Sequence, residues 1–237
     1  MSQSQRVVYL LHGIRTNAHW MEPLGLLLQS EGFVVAPDRY GYFNVFSFIN
    51  PFNGKREGKI DRAHKEIKRV FDRYPGAEIS IISHSFGTWL LSEVMKRERF
   101  DFSRIVLCGS VVKEEFDWGQ FKNLDRPRVV NECGVRDVWP ILAKVIGNGY
   151  GAAGSFGFHG TYVKNRYHNV GHSGFFDIRF WNRFWIPFLR HGELNAGYSG
   201  GYPCRTLKGV LEAVQLKYIV GASLVGCAVW VIFRKIA

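Results

Sequence analysis

The sequence predicts an α/β domain with a mainly parallel sheet. From residue 6 to residue 190, short apolar, β-branched runs alternate with amphipathic stretches of helical spacing. His12-Gly13, Ser85, Asp137 and His172 each follow such a run, beyond the carboxyl ends of the expected strands, where open α/β sheets bind ligands. The chain has 237 residues, 46% hydrophobic and 22% charged, which suits one domain with a substantial core.

The first strand is residues 6–11, RVVYLL, running into His12-Gly13-Ile14. Gly13 permits a turn that most residues resist, and that turn can aim the Ile14 N–H at the top of the sheet. The same stretch also reads as an ordinary strand-to-helix loop. Asn17 is placed to cap a helix over 18–30, with Trp20, Leu24, Leu27 and Leu28 on its inner stripe and Gly32 past its end. A second strand spans 33–37. Residues 38–54 form a loop rich in aromatics, which reads equally as an apolar pocket wall and as core packing. Residues 58–74 read as a basic amphipathic helix, with Ile60, Ala63, Ile67, Val70 and Phe71 facing inward.

Residues 77–91, AEISIISHSFGTWLL, are the centre of the chain. Ile79, Ile81 and Ile82 mark a buried strand, and Trp89, Leu90, Val94 and Met95 follow with helical spacing. Between them lies Ser83-His84-Ser85-Phe86-Gly87. Strand, sharp turn bearing a serine, then helix is the setting of the G-x-S-x-G nucleophile elbow. The turn lifts the Ser85 hydroxyl clear of the sheet and puts the Phe86 N–H at a helix N-terminus. Gly87 fits the pattern, whereas Ser83 stands where it has a glycine. His84 occupies a position that accepts many residue types and is not expected to be catalytic.

Further strands are expected over 103–112, 128–133 and 162–169, with a polar connection at 113–126, a helix at 139–146 and an aromatic-rich helix at 175–190. The glycine-rich stretch 147–160 lacks the lysine pattern of a phosphate loop and reads as a flexible or tightly turning loop near the site. The strand-end acids include Glu132 and Asp117 as well as Asp137, which ends a strand loop just before a helix. The histidines include His168 and His159 as well as His172. His168 lies inside the last alternating run and reads as structural, while His172 lies past its end in a glycine-flanked turn.

A net charge of +11 points to an anionic environment. No helix-turn-helix, zinc-finger or RNP motif is present, so nucleic acid is not an expected partner. Four scattered cysteines with no C-x-x-C pair argue against a zinc site or a disulfide framework and suit a reducing compartment. No apolar signal core precedes the first strand, so no cleaved signal peptide is expected.

With the His-Gly loop, SHSFG, and an Asp and a His after later strands, the sequence resembles the α/β-hydrolase family over about residues 6–190. The chain order Ser85, Asp137, His172 is that family's order. The resemblance implies a mainly parallel sheet with helices on both faces. It implies Ser85 as nucleophile, His172 as base and then acid, Asp137 as the group that orients His172, and the N–H groups of Ile14 and Phe86 as oxyanion donors. His12, Gly13 and Gly87 would support them, with no metal or organic cofactor. The activity implied is that of a serine esterase or lipase. Thioesterase, amidase and peptidase chemistry use the same triad, and an inactive binding scaffold or a membrane-lipid-damaging effector are the alternatives.

The domain is expected to end at residue 190, followed by a linker and basic segment at 191–217. Residues 218–233 carry no charge over 16 residues. As helix they span about 24 Å, against a hydrocarbon core of about 30 Å. Snorkelling by Lys217 and Arg234 extends the reach, and Tyr218 and Trp230 suit the interfaces. The expectation is a C-terminal membrane anchor, with the catalytic domain on the cytoplasmic side of an anionic membrane; the alternative is a buried helix or strand.

Overall fold

The computed structural model of the chain describes residues 4–12, 19–36, 55–119, 127–147 and 149–198. Among the described residues six strands form one sheet: β1 (Arg6–Leu11), β2 (Val34–Ala36), β3 (Glu78–His84), β4 (Arg104–Cys108), β5 (Val129–Gly134) and β6 (Val163–His168). Their order is β2-β1-β3-β4-β5-β6, and every neighbouring pair is parallel. The order reverses beside β1, since β2 lies on one side of it and β3 on the other. A crevice opens at such a point beyond the strand ends.

Successive side chains of each strand face opposite layers. Val7, Tyr9, Ile79, Ile81, Ile105 and Leu107 pack with α2 (Lys55–Arg73) and α3 (Phe86–Arg97). Val8, Leu10, Ile82, Val106 and Val130 pack with α1 (Met21–Ser30) and with the aromatic helical stretch 178–191 on the other face. Cover on both faces explains why the strands read as continuous apolar runs rather than alternating ones. Helix α4 (Trp139–Ile146) coincides with its expected span.

Several boundaries move for local reasons. The described start of α1 is Met21, with no side-chain cap, and Asn17 lies outside the described residues. Helix α2 begins at Lys55, three residues ahead of the expected start. Strand β4 stops at Cys108 because Gly109 turns the chain with φ 55°. The aromatic helix starts at Ile178, where Asp177 accepts the Arg179 N–H through Oδ1 at 2.9 Å.

That aromatic helix, α6, runs from Ile178–Phe180 through a π-helical Trp181–Trp185 into Ile186–His191. Pro187 has no N–H for the Arg183 carbonyl, and the Asn195 side-chain amide donates to it instead, at 2.6 Å.

Over residues 149–160 the glycine-rich stretch turns tightly and is closely packed. It carries a four-residue helix, α5 (Ala153–Phe156), with Ala153, Gly154 and Ser155 buried. A Cβ on Gly154 would lie 2.2 Å from the Ser110 nitrogen, and one on Gly151 would lie 2.3 Å from Lys113 Cα. The Asn131 amide donates to the Ala153 carbonyl at 2.8 Å, tying the turn to β5. The described part of the polar connection hides a buried tryptophan, Trp118.

Past α6, the Tyr198 N–H donates to the Tyr167 carbonyl at 2.6 Å, so residues up to 198 lie along β6. The aromatic loop 38–54 and the stretch 218–233 lie outside the described residues. Among the described residues no helix is long and apolar enough to cross a membrane.

Candidate active site

Strand β3 ends at His84 and the chain turns at Ser85, with φ 55° and ψ −125°. Ser85 is the one non-glycine residue with positive φ among those described. Such a conformation costs on the order of 1–3 kcal/mol and needs surrounding support. Support comes from the Ser85 N–H, which donates to the Cys108 carbonyl at 3.0 Å, and from Thr88 Oγ1, which donates to the Ser85 carbonyl at 2.6 Å.

Gly87 is required by close packing. A Cβ there would lie 2.6 Å from the Leu11 carbonyl and 2.8 Å from that of His12, so the first turn of α3 rests on the end of β1. Ser83 fits because it is an interior strand residue, paired with Leu11 on one side and Leu107 on the other. Phe86 is the first residue of α3, so its N–H stands at the helix N-terminus. Gly13 and Ile14 lie outside the described residues, while His12 is buried at the end of β1.

His172 lies in the turn after β6. Its Nε2 is 3.0 Å from Ser85 Oγ and its Nδ1 is 2.9 Å from Asp137 Oδ2. A carboxylate accepts, so Nδ1 carries the proton and the Nε2 lone pair faces the serine hydroxyl. Asp137 is buried in the turn between β5 and α4. Its other oxygen, Oδ1, accepts the Trp139 N–H at 3.1 Å, and Ser155 Oγ donates to its carbonyl at 2.7 Å. Ser85, His172 and Asp137 are thus brought together in one hydrogen-bonded line. Such a line can move a proton off a hydroxyl while the acid steadies the imidazole.

The competing residues are engaged elsewhere. Glu132 is fully buried and accepts from Arg166 Nε and Nη2, from His168 Nε2 at 2.7 Å and from Trp185 Nε1 at 3.1 Å. Burial pushes its carboxyl up, but the Arg166 hydrogen bonds and charge, with His168, hold it below the ordinary value. His168 therefore belongs to that buried network. Asp117 accepts the Gly119 N–H at 2.6 Å, and His159 is exposed.

Two residues in contact with His172 were not singled out from the sequence for the site. A Cβ on Gly109 would lie 2.9 Å from His172 Cε1, so only glycine leaves room for the imidazole. The local signal was a glycine directly after a strand, a common loop feature with no mark of its target. His84, completely buried, puts its ring 4.6 Å from that of His172. Burial first, then the neighbouring imidazole, pushes the His84 pKa well below the ordinary histidine value.

Val138 and Trp139, 48% and 60% exposed, form an apolar rim beside Asp137, and the Trp139 ring lies 6.3 Å from that of His172. Among the described residues no group of histidines, cysteines and acids could hold a metal ion.

No protein-family model matches the chain, and no curated protein matches it in sequence. Solved structures do match in shape. A CIB-like hydrolase from Thermoplasma acidophilum is 20% identical with a TM-score of 0.51, over 80% of this chain and 88% of that one. TT1662 from Thermus thermophilus is 15% identical with a TM-score of 0.51, over 79% and 89%. The pyrethroid hydrolase PytH is 12% identical with a TM-score of 0.50, over 80% and 99%. At these identities the likeness is one of architecture, and with the parallel six-stranded sheet covered on both faces it establishes that the chain has the fold of the α/β hydrolases.

Proposed function

We propose that this protein is a serine hydrolase that cleaves a carboxylic ester, of a lipid or a small acyl compound, through an acyl-enzyme on Ser85. The observation that carries the reading is the His172 imidazole, 3.0 Å from Ser85 Oγ on one side and 2.9 Å from Asp137 on the other. His172 takes the Ser85 proton as Oγ attacks the acyl carbon. Asp137 keeps the receptive tautomer and stabilises the imidazolium. The Phe86 N–H, with that of Ile14, receives the oxyanion; one such donor is worth roughly 3 kcal/mol. The imidazolium then protonates the leaving alcohol. Water, deprotonated by His172, attacks the acyl-enzyme and releases the acid and free Ser85. The apolar rim of Val138 and Trp139 supports an apolar acyl or alcohol group. The uncharged stretch 218–233 and the basic charge of the chain support a place at an anionic membrane, with the catalytic domain in the cytoplasm.

A fluorophosphonate probe tests the reading. The folded wild type is expected to label, and Ser85→Ala and His172→Ala are expected not to. Asp137→Asn is expected to slow labelling on the order of 10⁴-fold, because the wrong tautomer then faces the serine. A folded wild type that does not label, or labelling that survives Ser85→Ala, would overturn it.

A further inference from the structure

His84 is buried completely between the site and the core. Its Nε2 lies 3.2 Å from the His172 carbonyl oxygen. A carbonyl only accepts, so the proton is on Nε2 and the ring donates. The edge of Phe176 closes on His84 at 4.8 Å between ring centres, and Trp20 approaches edge-on at 6.4 Å. Gly109 confines both imidazoles at once, since a Cβ there would lie 2.9 Å from His172 Cε1 and 3.3 Å from His84 Nε2. The other nitrogen of His84, Nδ1, is buried without a hydrogen-bond partner among the described residues. An apolar side chain of similar bulk would fill the space without that desolvation cost.

We propose that His84 is a positioning residue: its Nε2–H holds the His172 carbonyl, and so sets the His172 imidazole at the reach of Ser85 and Asp137. The proposal rests on the hydrolase reading of the Ser85 line. The clamp works across the turn after β6, whose backbone is also tied by Arg136, through its N–H to the Val170 carbonyl at 3.1 Å and its Nη2 to the Asn169 carbonyl at 2.8 Å, by the Gly174 N–H to the Gly171 carbonyl at 3.0 Å, and by the Phe176 N–H to the Ser173 carbonyl at 3.2 Å. None of those bonds involves His172 itself. A ring that stays neutral also keeps this contact from opposing the imidazolium formed on His172 during turnover.

Two substitutions separate positioning from packing. His84→Gln keeps an N–H donor of similar reach, and His84→Leu keeps bulk without a donor; His84→Met replaces the latter if it does not fold. The readouts are the fluorophosphonate labelling rate, the melting temperature, and the downfield NMR resonance of the His172 Nδ1–H bonded to Asp137. His84→Leu is expected to lose about 10- to 100-fold in labelling and to lose the resonance, at a melting temperature matched by His84→Gln. His84→Gln is expected to keep both. If His84→Leu labels at the wild-type rate with the resonance intact, or if both variants lose labelling in step with melting temperature, the positioning role is overturned. A wild type that shows the resonance but does not label would overturn the hydrolase reading instead, and the resonance would still decide the role of His84.

Discussion

At the residue scale, the site depends on two backbone conformations that only particular side chains permit. Ser85 is held at φ 55° by Thr88 and by the end of β4. Gly109, also at φ 55°, leaves the space that the His172 imidazole occupies. Gly109→Ala therefore combines a positive-φ penalty of about 1 kcal/mol with a direct clash on the imidazole. It is expected to slow fluorophosphonate labelling by about 100-fold, since a displacement near 1 Å costs that much. Gly76→Ala is the control: φ is 75° there, and a new Cβ meets nothing within 4 Å. It is expected to lower the melting temperature with labelling unchanged. Equal labelling by the two variants would show that the imidazole tolerates the displacement. The serine turn was legible because its signature is local, a strand, a serine and a helix. Gly109 was not, because what it makes room for lies 63 residues further along the chain, Gly109 to His172.

At the element scale, one buried charge cluster spans the pairing of β5 and β6. Glu132 and Arg166 stand directly opposite in the parallel register, and His168 and Trp185 complete the donors around the carboxylate. Glu132→Gln leaves Arg166 buried without its counter-charge and is expected to cost about 3–5 kcal/mol in urea unfolding. Replacing both, as Glu132→Met with Arg166→Met, is expected to recover much of that loss, because the cost lies in the uncompensated charge. If the double variant is the less stable, the pair contributes net stability. In the sequence Glu132 is one of the strand-end acids and so a candidate beside Asp137. Its partner could not be read, because register between strands 34 residues apart is a tertiary property. The same limit applies to α6. The sequence shows an aromatic-rich helix there, but the π-turn before Pro187 has its freed carbonyl satisfied by Asn195.

At the scale of the whole molecule, acid stability falls in two windows. The folded pKa of His84 lies well below the ordinary 6.5, so on acidification the unfolded chain binds a proton that the folded chain refuses. Its contribution is complete above that value and is lost as pH falls toward the folded pKa, with a slope of about 1.4 kcal/mol per pH unit. His84→Gln is expected to flatten the melting temperature between about pH 7 and pH 5. An unchanged slope would assign it to other groups. Glu132 and Glu114 are held below the ordinary carboxyl value of 4.5, for which Arg166 and Lys144 respectively outweigh burial. Their contribution is present above 4.5 and is lost only below it, so the second window opens at lower pH.

The C-terminal stretch is tested on the full chain. It is expected to sediment with vesicles containing phosphatidylserine, whereas a chain ending at residue 198 stays in the supernatant and still labels. Equal vesicle binding by both forms would remove the tail from the account. The sequence by itself determined the order of strands and helices, the serine turn and the set of residues from which the site could be built. Periodicity, β-branching and turn chemistry act over a few residues and are written locally. Only the tertiary structure decided which acid meets which histidine. Strand order and register joined His172 to Asp137 across 35 residues and to Ser85 across 87, and the same register gave Glu132 to Arg166 and His168. A buried carboxylate is stable only where its donors converge, and that convergence exists in the assembled sheet and in no single stretch of the chain.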